Sequence, residues 1–206
     1  MKTLLYSESP ALGIILTFIP LVLLILGFPI LAIFATIVLL CMIIFYRYYP
    51  HEKRYSDDFI VCPCDGTVTS SFTMEDGEHG FISIFLSPLD IHTQMYPANG
   101  VVVERVYDQT GKFAIVVNEG KSRDNEKKIH TIATKHGLVT LTQIAGFLPR
   151  RISSSDIVPE NVKAGEYLGM IKFGSRVDIK FPVKNGGCTN ICVGQRVTHG
   201  DIMYEW

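Results

Sequence analysis

The chain lacks any overall charge bias: 19 Lys and Arg stand against 20 Asp and Glu, for a formal net charge of −1 over 206 residues. Such a balance excludes the broad basic face that a nucleic-acid binder uses to neutralise phosphates. Charge is also missing locally. No Asp, Glu, Lys or Arg occurs between Glu8 and Arg47, where most positions are Leu, Ile, Val, Phe or Ala. As one straight helix that gap would run roughly 57 Å, nearly twice the ~30 Å hydrocarbon core of a bilayer, so a single span is excluded. Gly27-Phe28-Pro29 interrupts it midway, and the pattern predicts two short helices, near residues 10–27 and 29–46, forming a membrane hairpin. Pro20 is expected to kink the first. Each helix is at the lower limit for crossing, which leaves open whether the hairpin spans or only inserts. A small-residue cleavage site is also absent, and the apolar stretch is too long for a secretory signal peptide. Lys2 on one side and Arg47, Lys53 and Arg54 on the other place both ends on the cytoplasmic side of a cell membrane. Phe45, Tyr46, Tyr48 and Tyr49 suit an interfacial belt.

Helical periodicity is scarce beyond the polar exit segment, so residues 1–54 read as the anchoring hairpin with its exit and 55–206 as one catalytic domain. Short β-rich runs recur there between Gly, Asn, Asp and Pro: 67–73, 81–86, 101–107, 113–117, 128–134, 138–144, 167–172, 177–181 and 202–206. Their spacing predicts a mainly β, antiparallel barrel- or sandwich-like core. Val162-Lys-Ala-Gly-Glu-Tyr-Leu168 and Val197-Thr-His-Gly-Asp-Ile-Met203 echo each other as Val-x-x-Gly-acid-x-apolar. A glycine turn at positive φ between strands, as in a carrier-domain-like hammerhead, would account for both.

Cys-x-x-Cys spacing is absent. Cys62 and Cys64 form one pair, Cys188 and Cys192 another, and Cys41 lies in the apolar stretch. Buried free thiols in a reducing compartment are the simplest reading, a disulfide between the pairs comes next, and a zinc-dependent hydrolase is a third.

Gly174-Ser175 is a place where the backbone could cut itself. A serine hydroxyl can attack the preceding carbonyl, shift the acyl group from nitrogen to oxygen and lose the ester by β-elimination, leaving a pyruvoyl group. Glycine on the acyl side removes the obstructing Cβ. The pair alone is far more often an ordinary turn.

Ser87-Pro-Leu-Asp-Ile-His92, followed by Pro97 and Gly100, resembles the phosphatidylserine decarboxylase family. Four further segments match it in order: Cys62-Pro-Cys-Asp-Gly-Thr-Val68, Asn125-Glu-Lys127, Gln143 to Ile152, and Gly169 to Asp178 with its Gly-Ser. The hairpin ending in Arg47-Tyr-Tyr-Pro-His-Glu-Lys-Arg54 resembles the short-form amino terminus, so the likeness covers nearly the whole chain.

The resemblance implies a pyruvoyl-dependent decarboxylase made as a proenzyme and cut between Gly174 and Ser175, with chains 1–174 and 175–206 remaining associated. Ser175 would be the nucleophile and the source of the pyruvoyl group, and His92 the base that removes the Ser175 α-proton. Asp65 would orient that imidazole, with Asp90 as its rival. Arg150, Arg151 and Arg176, with Lys172, are candidates for contacting a lipid phosphate. The other five histidines, His51, His79, His130, His136 and His199, read as structural or solvated. Some long-form members carry a second histidine where this chain has Met95, which cannot transfer protons. The implied substrate is a membrane phospholipid with a serine headgroup, ester- or ether-linked, giving the ethanolamine lipid and CO2. Neither pyridoxal phosphate nor a metal is expected, and a homo-oligomer is left open. The rival from another class is a noncatalytic, membrane-anchored β domain that binds lipid or protein.

Overall fold

The computed structural model describes residues 2–108, 125–146, 152–154, 161–172, 175–185 and 187–206, Ser175 through its backbone alone. The chain divides into two compact units, Met1–Tyr49 and Pro50–Trp206.

The first unit holds β1 (Lys2–Thr3), α1 (Leu5–Glu8), α2 (Pro10–Ile25), α3 (Pro29–Phe45) and β2 (Arg47–Tyr48). Proline opens both α2 and α3, where its missing N–H costs nothing and its fixed φ suits the first turn. The helix α2 is continuous through Pro20. The open end of the hairpin is tied by β1–β2 pairing, by Leu4 N–H to the Tyr46 carbonyl at 2.8 Å, and by a 2.9 Å hydroxyl contact between Ser9 and Tyr46. Its outer surface is apolar: Ile14, Phe18, Leu24, Ile25, Ile30, Phe34 and Ile37 are all exposed. Among the described residues no helix is long and apolar enough to cross a membrane. The 16 and 17 residues of α2 and α3 amount to roughly 24–26 Å against a ~30 Å core.

The second unit contains β3 (Phe59–Val61), β4 (Gly66–Thr73), β5 (His79–Leu86), β6 (Thr93–Met95), β7 (Val101–Asp108), β8 (Lys127–Thr134), β9 (Gly137–Ala145), β10 (Ile152–Ser154), β11 (Tyr167–Ile171), β12 (Ser175–Pro182), β13 (Cys188–Thr189), β14 (Arg196–Val197) and β15 (Ile202–Glu205). A seven-stranded sheet runs β14-β4-β5-β12-β9-β8-β7, and two three-stranded sheets run β10-β11-β6 and β13-β15-β3. Every pairing is antiparallel. The expected barrel is corrected here: among the described residues no sheet closes on itself. The edge strand β14 is two residues long, too short a ladder to seal against β7 at the far end of the order.

Alternation explains the core. Val68, Ile84, Val177, Ile179, Phe181 and Leu141 enter it from the large sheet, and Ile60, Leu168, Ile171, Met203 and Tyr204 enter it from the smaller ones. The two echoed turns behave as expected, with Gly165 at φ 91° and Gly200 at φ 82°. The run expected at 113–117 lies outside the described residues.

Ile84 is fully buried on a central strand, whereas Val101 is 41% exposed on the edge. In denaturant titrations of the detergent-solubilised protein, Ile84→Ala is expected to lose about 2–5 kcal/mol, and Val101→Ala within about 0.5 kcal/mol of the parent.

Candidate active site

The register of the large sheet gathers the chemistry-bearing segments at one end. β12 lies between β5 and β9, with Ser175 opposite Leu86 on one side and Ala145 on the other. β5 ends at Leu86, immediately before the Ser87–Pro97 segment, and β4 begins at Gly66, immediately after Asp65. Thr67 pairs with Phe85 and Gly66 with Val197, so Asp65, Ser87, Ser175 and the residues after β14 share that end. Gly66 is not a turn residue: a Cβ there would sit 2.4 Å from the Phe85 carbonyl oxygen. The Asp-Gly pair thus lets two strands approach closely beside the Asp65 carboxylate.

His92 is fully buried. Its Nδ1 lies 2.9 Å from the Asp90 carbonyl, and because a carbonyl only accepts, Nδ1 carries the proton and Nε2 is the basic nitrogen of the neutral ring. The His92 carbonyl accepts from Ile171 N–H at 3.1 Å and from the Gln94 amide at 2.7 Å, which fixes its backbone to β11. Asp90 turns its carboxylate to the Ser87 N–H at 2.7 Å and forms an ion pair with Arg196. It therefore shapes the turn before His92 through its side chain and sets the histidine tautomer through its backbone.

Asp65 is engaged by a histidine that sequence reasoning passed over. Its Oδ1 accepts from His199 N–H at 3.0 Å and lies 2.5 Å from His199 Nδ1, while His199 Nε2 lies 2.8 Å from the Thr93 carbonyl. Burial pushes the Asp65 carboxyl up. The His199 side chain and N–H, with Arg196 nearby, outweigh that and hold it below its ordinary value.

A chain of buried hydrogen bonds reaches the same place from the other side. Arg105 Nε donates to His130 Nδ1 at 3.0 Å, His130 Nε2 to Gln143 Oε1 at 2.9 Å, Gln143 to Gln94 Oε1 at 2.9 Å, and Gln94 to the His92 carbonyl. The donor directions are consistent only with neutral His130 protonated on Nε2. Burial, Arg105 and Lys128 press the imidazole down from 6.5 to about 4, against the opposing Gln143 bond. Only a residue's polarity within a β-run could have signalled this chain, since its members are far apart in sequence.

Arg176 is buried and donates to Asp178 at 2.7 Å, and Ser83 donates to the other Asp178 oxygen at 2.7 Å. Both charges face away from the core side chains Val177 and Ile179. Lys172 is buried. Gly174, Arg150 and Arg151 lie outside the described residues. All five cysteines are free. Cys62 and Cys64 are buried as expected, whereas Cys41 is exposed in α3, Cys188 is exposed on the edge strand β13, and Cys192 is exposed beyond it. Among the described residues no group of three or more His, Cys, Asp or Glu is placed to hold a metal ion.

Residues 41–204 match the family model described as phosphatidylserine decarboxylase. The chain is 34% identical over 190 residues to the phosphatidylserine decarboxylase proenzyme of Wolbachia pipientis wMel, covering 86% of this chain and 79% of that protein. It is 35% identical over 177 residues to the proenzyme of the same name from Solibacter usitatus, covering 85% and 83%. A Methanosarcina acetivorans protein bearing the name of an archaetidylserine decarboxylase proenzyme is 34% identical over 162 residues, covering 79% and 73%.

Because the His130 value is depressed in the folded state, its contribution to stability is fully present above about pH 6.5 and is lost as pH falls toward about 4. Between pH 7 and pH 4 the parent protein is expected to lose roughly 3 kcal/mol more stability than His130→Gln. Equal losses in pH-dependent denaturant titrations would contradict a buried neutral imidazole.

Proposed function

The chain belongs to the phosphatidylserine decarboxylase family, and we propose that it matures by self-cleavage between Gly174 and Ser175 into a pyruvoyl enzyme acting on serine-headgroup phospholipids. The observation that carries the reading is the register of β12, which starts the strand at Ser175 on the sheet end shared with Asp65 and the Ser87–His92 turn. In maturation the Ser175 hydroxyl adds to the Gly174 carbonyl and the acyl group moves from nitrogen to oxygen. Removal of the Ser175 α-proton then expels the Gly174 carboxylate and leaves a dehydroalanine, whose imine tautomer is hydrolysed by one water to give pyruvoyl on residue 175 and ammonia. His92, neutral with Nε2 as its basic nitrogen, suits the proton removal. Met95 is buried, with its N–H donated to the Pro63 carbonyl, and its thioether transfers no proton, so the reading assigns the base role to His92 alone. The Asp65 carboxylate supplies negative charge beside the same segment.

The donor set fits a serine-derived group: a serine at a strand start after glycine, a buried histidine with Nδ1 bonded to a carbonyl, and a carboxylate held below its ordinary pKa. When formed, a pyruvoyl ketone captures the headgroup amine and accepts the electrons released as CO2 leaves. The protein's own part is to orient the scissile carboxylate and keep water out. Arg150 and Arg151 remain candidates for the lipid phosphate. Arg176, already paired with Asp178, is better suited to bracing β12 beside the cut.

A lipid decarboxylase works at a membrane, and the exposed apolar surface of the α2–α3 hairpin supports insertion of residues 1–54 as the anchor of a catalytic domain formed by 55–206. Helices this short favour an inserted hairpin with both ends on the cytoplasmic side. Relatives named for phosphatidylserine and for archaetidylserine both match, and the two lipids share the serine headgroup on which the proposed chemistry acts. The paired glycine turns at Gly165 and Gly200 support a carrier-domain-like hammerhead for the small sheets.

Ser175→Ala tests the reading. The variant is expected to stay a single chain of 206 residues and to release no CO2 from phosphatidylserine in mixed micelles. Cleavage or decarboxylation persisting in it would remove Ser175 from the mechanism.

A further inference from the structure

His199 occupies a position that no proton-transfer role accounts for. Its two ring nitrogens face groups that only accept, the Asp65 carboxylate at 2.5 Å and the Thr93 carbonyl at 2.8 Å. Both bonds are made together only when both nitrogens carry protons, so the ring in this arrangement is an imidazolium paired with Asp65. Its two partners belong to the two segments on which self-cleavage is read to depend: Asp65 leads into β4, and Thr93 directly follows His92.

The turn carrying His199 is itself held rigid. Gly200 takes φ 82° and donates its N–H to the Cys62 carbonyl at 2.9 Å, and Asp201 accepts from both Thr198 N–H at 2.8 Å and the Thr198 hydroxyl at 3.0 Å. A Cβ on Gly200 would meet the Tyr55 hydroxyl at 2.1 Å and His51 Nε2 at 2.5 Å, and those two side chains bond each other at 2.5 Å. The backbone thus brings the His199 N–H to Asp65 as well as the ring, and the geometry leaves the side chain little freedom.

We propose that His199 is a positioning residue: as an imidazolium bridging Asp65 and the Thr93 carbonyl, it sets the alignment of the Asp65 and His92 segments for cleavage at Gly174–Ser175. The proposal rests on the roles given above to Ser175, His92 and Asp65, and adds a residue from outside every motif that carries the family likeness. The groups facing His199 are Asp65 and Arg196 at the sheet end, His51 and Tyr55 of the exit segment, and Asp201 in its own turn. Asp65 is the charge in direct contact, so a neutral side chain at position 199 removes the ion pair and loosens the alignment.

The test follows self-cleavage of full-length protein from cell-free synthesis in mixed micelles, by gel, for the parent, His199→Ala and His199→Gln, with thermal unfolding of each measured alongside. His199→Ala is expected to cut roughly ten- to a hundredfold more slowly. His199→Gln keeps an amide donor without the charge and is expected to recover part of that loss. Partial rescue at an unchanged unfolding temperature is a split that a merely structural role would not produce. If the alanine variant does not fold, a glutamine rate below the parent's decides. Parent-like rates in the variants that fold, or a glutamine variant no faster than the alanine one, overturn the proposal. A parent chain that never cuts overturns the maturation reading itself, and this proposal with it.

Discussion

Strand β12 is hydrogen-bonded along both edges, and its pairing with β5 and β9 fixes where Ser175 lies relative to everything else in the catalytic unit. In an antiparallel sheet a one-residue slip would send each side chain to the opposite face. Val177, Ile179 and Phe181 would leave the core, and the buried Arg176–Asp178 pair would enter it. Hydrophobic burial therefore enforces the register, and the register delivers Ser175 to the end of the sheet where β4 starts and β5 stops. Stability and chemistry share one constraint here.

Two polar systems then fix that end. From one side, the directed chain of Arg105, His130, Gln143 and Gln94 terminates on the His92 carbonyl. From the other, His199 joins Asp65 to the Thr93 carbonyl. Buried polar groups are costly when left unmatched and rigid when fully bonded. Strands from both sheets are held to the segment around His92 in this way, by bonds that single out one arrangement. The Asp90 carbonyl completes it by selecting the tautomer with a basic Nε2.

Much of this was legible in the residues. The gap in charge from Glu8 to Arg47, broken at Gly27-Phe28-Pro29, marked α2 and α3 to within two residues, because a proline and a glycine leave few other places for the chain to turn. Long β-branched runs marked the strands of the large sheet for the same reason that Val177 and Ile179 are buried: alternation is enforced by a one-sided core. The strands β3, β6, β10, β13 and β14, two or three residues each, show no period to read. A barrel- or sandwich-like core was expected from the spacing of the β-runs, but closure depends on edge pairing, which spacing does not encode. The family motifs pointed to Ser175, His92 and Asp65. His199 read as structural or solvated because it is 134 residues from Asp65 and sits in what reads as a repeated glycine turn. The same turn chemistry that made it look ordinary is what aims its N–H and ring at Asp65.

The account stands or falls on whether an internal serine becomes a carbonyl. Intact mass spectrometry of the purified parent protein, before and after borohydride treatment, reads this directly. The prediction is two chains, 1–174 and 175–206, with the shorter one lacking a free amino terminus and gaining two hydrogens on reduction. A single unreduced chain of full length that still decarboxylates a serine-headgroup lipid would contradict it.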